Sequence, residues 1–337
     1  MIPVDVPNLG DEQALPAVKA PSLEGLSITL GAQADITAAQ LQERFMALAR
    51  PLATERYRAP REAVKWGDEL RVDIMGYTQG RLVPFSVKCG EWLLLAPEPL
   101  LPGLYEALVG HGPTEIVAMD VLLPANYPQP ALRGVQARFA VRIQAAREVT
   151  YPDLTSAEFL RAFGRGATVA EATQSVLEQM VREATQRVFL DARQRVLDEV
   201  AARTEVRVPD SLIDEEIRRS WSLSEGVTVQ ELEFSETQQR ESLDTWLQDE
   251  ATRALAERRL KLALALGAIC ERDGLTLTPE WVEKLLRQHA EASGSTLEAV
   301  AESLRHDPEG QARIDQAAWH LMAVDHVMSR VQVRTSA

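Results

Sequence analysis

The side chains able to do chemistry are few and widely separated in this sequence. Five histidines, His111, His289, His306, His320 and His326, and two cysteines, Cys89 and Cys270, are the natural metal ligands. His320 and His326 stand six residues apart, so one helical face does not present both well, and there is no HExxH or Cys/His cluster. No metal site is expected. Neither cysteine belongs to a CxxC pair or sits in a recognisable nucleophile setting, and a structural disulfide is not expected. There is no GxxxxGK[ST] phosphate loop, no GxGxxG dinucleotide fingerprint and no GxSxG serine elbow. ATP-driven action and dinucleotide redox chemistry therefore have no support, and no cofactor is expected.

The elements that carry these residues divide into two kinds. The chain has 337 residues, enough for about two domains at roughly 150 residues each. A hydrophobic share of 45% can build real cores, while an aromatic share of 5% suits Ala- and Leu-rich helices better than an all-β sandwich. The formal charge of -14 argues against nucleic acid or an anionic membrane as partner. No run approaches the ~18 apolar residues of a membrane span, and MIPVDVPNLG has neither the basic nor the apolar region of a secretory signal. A cytoplasmic location is expected.

Residues 1–20 carry Pro3, Pro7 and Pro16 without periodicity and are expected to form a flexible leader. Leu26, Ile28 and Leu30 alternate as a short strand. Thr37 and Gln40 then have the spacing of a capping box ahead of the apolar face Leu41, Phe45 and Leu48. From 61 to 148 the period is two: Leu70, Val72 and Ile74 alternate, as do Ala137 to Ile143, with Pro and Gly punctuating the runs at Gly76, Gly80, Pro99, Pro102, Gly103, Pro124 and Gly134. That predicts an antiparallel sheet with a short helix near Pro102–Leu108. After Tyr151-Pro152 the period becomes helical, with Val169, Ala172, Val176, Met180, Ala184 and Val188 on one face behind a Thr168/Glu171 capping box. Pro209 opens another helix. A long helix is expected from about Ser235 to Asp273, ending at Gly274. Thr278-Pro279 and Asp307-Pro308 start two more, the last running to about Val333.

Three stretches in this order resemble bacterial trigger factor. The segment with Leu101-Pro102-Gly103, Leu108-Val109-Gly110, Leu123-Pro124, Asn126-Tyr127 and Leu132-Arg133-Gly134 is similar to the family's FKBP-type prolyl isomerase domain. YPDLTSAEFLRAFG and VRVPDSLIDEEIRRSW are similar to the opening and to the "VPxxLIxxEI" arm helix of its chaperone domain. The resemblance covers about residues 21–335. It implies an α+β multidomain protein, with a small antiparallel FKBP-like β domain and a large elongated all-α chaperone domain with arms. The expected divisions are a leader at 1–20, a linker strand and helix at 21–60 packing on the helical domain, the FKBP-like domain at 61–148 and the helical domain at 149–337.

The family opens with a ribosome-binding domain carrying a "GFRxGKxP" loop. No such loop occurs here, so ribosome docking is not expected. The resemblance places a prolyl isomerase pocket at Ile74, Val83, Phe85, Leu101, Leu104, Tyr127 and Phe139. By register from Gly76, however, the family's aromatics become Ile74, Val83 and Leu104, and its acid becomes Pro84. Such a site works by shape, binding the twisted amide better than the planar one. The substitutions imply weak or lost isomerase activity.

The same resemblance implies an ATP-independent holdase. Trp221, Leu223, Phe234, Leu243, Trp246 and Leu247 are the candidate client-binding groups on its arms, gripping by apolar burial. The expected partners are unfolded or nascent-like polypeptides, or one dedicated client. Prolyl isomerisation and adaptor work for one folded partner are the alternatives.

Overall fold

The structure, a computed structural model, describes residues 16–30, 35–78, 81–83, 86–97, 101–127 and 132–335. Most of the expected leader and the punctuating Gly80 and Pro99 lie outside the described residues, as do Pro84 and Phe85. In chain order, β1 (Ser27–Leu30) precedes α1 (Ala38–Ala49), β2 (Thr54–Tyr57), β3 (Glu69–Thr78), β4 (Arg81–Leu82) and β5 (Lys88–Leu94). Then come α2 (Leu104–Leu108), β6 (Ile116–Leu122) and β7 (Gln136–Thr150). The helical part comprises α3 (Ala157–Phe163), α4 (Val169–Ala202), α5 (Asp210–Ser222), α6 (Glu225–Glu231), α7 (Glu236–Gln248), α8 (Glu250–Arg272), α9 (Pro279–Ser293), α10 (Leu297–Arg305) and α11 (Pro308–Ser329). A last strand, β8 (Gln332–Thr335), closes the order. The fold class is α+β, as expected from the change of period.

The contacts divide the chain into two compact units. One comprises 35–182 and 218–249. Its frame is an antiparallel sheet in which the long β7 lies between β3 on one side and β6 and then β2 on the other. Alternation along β7 puts Ala137, Phe139, Val141 and Ile143 on the core face, where they meet Leu70, Val72 and Ile74 of β3 and Leu104 and Leu108 of α2. A register shift after Arg71 leaves Gln144 unpaired in the ladder, and its side-chain amide donates to Asp73 Oδ1 at 2.6 Å. Gly103 precedes α2 at φ 83°, a left-handed position that a side chain would strain. Arg58 and Asp68, both buried, form a bidentate pair at 2.5 and 2.8 Å between β2 and β3.

A second cluster in this unit joins Phe45 and Ala49 of α1 to Phe159 and Leu160 of α3 and to Ala172 and Val176 of α4. The capping box of α1 forms as the spacing predicts, with the Gln40 backbone N–H donating to Thr37 Oγ1 and the Thr37 N–H donating to Gln40 Oε1.

The other unit contains the described parts of the remaining segments, 183–217 and 250–335 together with the first strand. Leu26 and Ile28 pack with Leu197 and Val200 of α4, Leu266 and Ile269 of α8, and Val324 and Val327 of α11. Gly274 at φ 64° ends α8, and the Leu275 N–H donates back to the Cys270 carbonyl at 2.9 Å. Asp273 at this end accepts from His326 Nε2 at 2.7 Å and from Arg330 at 3.2 Å, which ties α8 to α11.

Three expectations change. The long helix predicted from Ser235 to Asp273 is two helices, because Asp249 leaves the helical region (φ -72°, ψ 116°) where the chain passes from one unit to the other. No Gly or Pro marks that break, so periodicity ran through it. The last helix stops at Ser329, not near Val333, because β8 pairs in parallel with β1. A four-residue strand at a chain end has little period of its own. The sheet also takes in Thr54–Tyr57, paired to Arg147–Thr150, although every side chain of that strand is exposed and shows no alternation of burial.

Candidate functional site

All six predicted client-binding groups lie on a helical hairpin, 218–249, that belongs to the same compact unit as the sheet. Two local devices shape it. Glu233 sits at φ 54°, the left-handed position after α6 that glycine usually fills, and the Phe234 N–H donates to the Val229 carbonyl at 3.0 Å. This turn aims Phe234 inward. Ser235 then caps α7, exchanging hydrogen bonds with Gln238 in a capping box.

Inside the hairpin the two tryptophans converge on one carboxylate. Trp221 Nε1 donates to Ser242 Oγ at 2.8 Å, and Ser242 Oγ donates to Glu225 Oε1 at 2.6 Å. Trp246 Nε1 donates to the other oxygen, Glu225 Oε2, at 3.3 Å. Glu225 and Ser242 are both buried. Gly226 lets the Trp221 ring lie against α6, since a Cβ there would stand 2.9 Å from the Trp221 carbonyl oxygen and 3.1 Å from its ring. Neither Glu225 nor Ser242 was singled out from the sequence. A Glu in an amphipathic helix reads as solvated until a donor is placed beside it.

Phe234 and Val229 are buried with Leu82 and Val87 of the sheet, and Met75, Tyr77, Trp221 and Leu232 pack around them. Burial raises the Tyr77 phenol pKa, with a hydrogen bond to Gln238 opposing the shift and the charge of Glu241 adding to it. Leu243, Trp246 and Leu247 are half-buried, whereas Leu223 is 66% exposed and Val227 45% exposed. The six candidates therefore split: Trp221 and Phe234 contribute to the packing on the sheet, and Leu223 faces solvent.

The isomerase candidates occupy the other side of the sheet. Ile74, Val83, Leu101, Leu104 and Phe139 are all buried in the core beneath α2, with Tyr127 partly buried against them. Burial pushes the Tyr127 phenol pKa up. The Phe139 ring lies so close to Gly76 that a Cβ there would stand 2.7 Å from it.

In the unit containing 183–217 and 250–335, α8 and α11 border an apolar groove of about 520 Å³. Ala263, Gly267 and Cys270 of α8 and Trp319 and His320 of α11 line it. Burial, with a contribution from Arg193, lowers the His320 pKa. Burial also raises that of Cys270, which favours the unreactive thiol. Among the described residues no group of three His, Cys, Asp or Glu is placed to hold a metal ion, and no helix is long and apolar enough to cross a membrane.

Comparison with known proteins finds trigger factors. The family described as Bacterial trigger factor protein (TF) C-terminus matches residues 168–329. A trigger factor of Psychromonas ingrahamii is 26% identical over 323 residues, covering 95% of this chain and 71% of that protein. The chain is thus similar to trigger factors over most of its length. Trigger factors of Glaesserella parasuis, 24% identical over 96% of the chain, and Haemophilus influenzae, 25% identical over 95%, match at similar extent. A solved structure titled for promiscuous substrate recognition in folding and assembly by the trigger factor chaperone aligns over 93% of the chain, with 14% identity and a TM-score of 0.38. The match at 168–329 takes in all six helical candidates and the α8–α11 region, and the similarity to these trigger factors extends over the sheet as well.

Proposed function

We propose that this trigger factor relative is an ATP-independent holdase that grips apolar segments of unfolded polypeptides and works without docking to the ribosome. Similarity to trigger factors over most of the chain supports the general role. The observation that carries the finer reading is the set of large apolar side chains left in solvent on helical elements: Leu223 and Val227 at the hairpin, and Phe189 and Leu190 on α4. Each exposed aliphatic or aromatic group offers about 25 cal/mol per Å² of surface to a client that covers it. Several such contacts bind broadly and reversibly when used together. The sequence carries neither a phosphate-binding loop nor the family's basic ribosome loop, which is the basis for the two restrictions.

The test is suppression of aggregation of a chemically denatured model protein, with and without ATP, together with co-sedimentation with ribosomes. Holding that is equal with and without ATP, with no ribosome pelleting, is the expected result. Failure to slow aggregation at stoichiometric amounts refutes the holdase, and pelleting with ribosomes refutes the second restriction.

A further inference from the structure

The sheet has an outer face, opposite the core, and the hairpin covers only part of it. Register identifies that face. Tyr77 pairs with Leu82 and with Arg138, and Arg138 pairs with Asp120 of β6. Met75 pairs with Ala140, which pairs with Ala118. Residues opposite one another on neighbouring strands share a face, and the side-chain period is two. Ile116, Ala118, Asp120 and Leu122 therefore share the face of Met75, Tyr77 and Leu82.

Val229 and Phe234 of the hairpin bury the β3–β4 part of that face, with Leu82 and Tyr77 beneath them. The β6 part is open, with Ile116 63% exposed and Leu122 59% exposed. The face carries an apolar row, Met75, Ala140 and Ala118, between the charged rows of Arg138 with Asp120 and Arg142 with Asp73, and a segment of its own chain covers part of it. Arg138 and Arg142 stand on the open part, Arg142 4.0 Å from Asp73.

We propose that this outer face is a client-binding surface, and that residues 218–249 occupy part of it in place of a client. The occupant it fits is an unfolded segment with apolar residues spaced like Val229, Leu232 and Phe234. Such a segment enters on Ile116 and Leu122 and displaces the hairpin. The inference rests on the holdase reading and extends it from the helices to the sheet.

Three forms of the full chain test it. Ile116→Asp with Leu122→Asp alters only exposed side chains. It is expected to lower client holding about tenfold, a factor equal to roughly 1.4 kcal/mol, while amide exchange at Leu82, Val83 and Val87 stays as in the parent. Phe234→Asp is expected to speed exchange at those amides about tenfold and to increase client holding. Glu231→Cys, bridged to the native Cys89 by a cleavable thiol cross-linker, is expected to hold less client until the link is cut.

Holding by the β6 variant equal to the parent's overturns the surface. Faster exchange in Phe234→Asp with no gain in holding, or equal holding by the linked and cleaved forms, overturns the displacement. If the unmodified protein holds no client at all, the holdase reading fails, and exchange at Leu82 still reports whether the hairpin docks.

Discussion

The Ser242 hydroxyl donates to the Glu225 carboxylate at 2.6 Å inside the 218–249 hairpin. Trp221 donates to the same Ser242 oxygen, so the serine relays an indole hydrogen bond to a buried acidic side chain. Ser242→Ala leaves Glu225 Oε1 and the Trp221 indole without these partners. Removing one partner of a buried polar pair costs about 1–3 kcal/mol. Amide exchange across 218–249 should accelerate accordingly, while exchange along β7 stays constant. Unchanged exchange in the hairpin would show that the relay does not hold it together.

Glu233 occupies a left-handed conformation at φ 54° between α6 and α7. A side chain there costs about 1–2 kcal/mol relative to the right-handed region, and glycine avoids that cost. Glu233→Gly should therefore slow exchange in the hairpin, by at most about tenfold once the added freedom of the unfolded chain is counted. Faster exchange would mean that the glutamate side chain contributes more than its backbone strain removes.

Gly76 faces the Phe139 ring across the core of the sheet unit, with 2.7 Å available to a Cβ. Gly76→Ala forces the ring out of its place among Leu104, Val141 and Ile74. Overpacking of this kind costs about 1–3 kcal/mol. The sheet unit should melt several degrees lower. A melting temperature equal to the parent's would show that the core yields there.

Asp273 is held far below the usual carboxylate range, first by Arg272, then by His326 and by the charge of Arg330. Its folded pKa lies below its unfolded value of about 3.9, so its contribution to stability is full above that value and lost as pH falls below it. Asp273→Asn should lower the melting temperature at pH 7, and the gap from the parent should close below about pH 4. A gap independent of pH would assign the effect to packing.

His320 gives a second pH window. Its folded pKa lies below the ordinary value of about 6.5 because burial, aided by Arg193, disfavours the charged ring. The unfolded chain binds the proton more readily. Stability is therefore full above about pH 6.5 and declines as pH falls below it. His320→Gln should flatten that decline in a pH series of thermal melts, whereas a parent-like slope would place the titration elsewhere.

Much of the fold was legible in the residues. The Thr37/Gln40 box, the Gly274 stop and the Thr278-Pro279 start act through neighbours a few positions away, so their spacing reveals them. The alternation of Ala137, Phe139, Val141 and Ile143 predicts a core face because period two follows from the backbone of a strand. Changes of period separated sheet from helices, and short motifs carried the resemblance to trigger factor.

The candidate site was legible only as a set of residue types. Trp221 and Phe234 read as apolar groups on arm helices, and nothing nearby in sequence says that Leu82 and Val87 bury Phe234. The pairing of β1 with β8 joins opposite ends of the chain, and Glu225 finds Ser242 seventeen residues away. The sequence alone determined where strands give way to helices and which family the chain resembles, because these follow from local periodicity and short motifs. Tertiary structure alone decided which apolar groups remain in solvent, because exposure depends on which distant surface comes to cover each side chain.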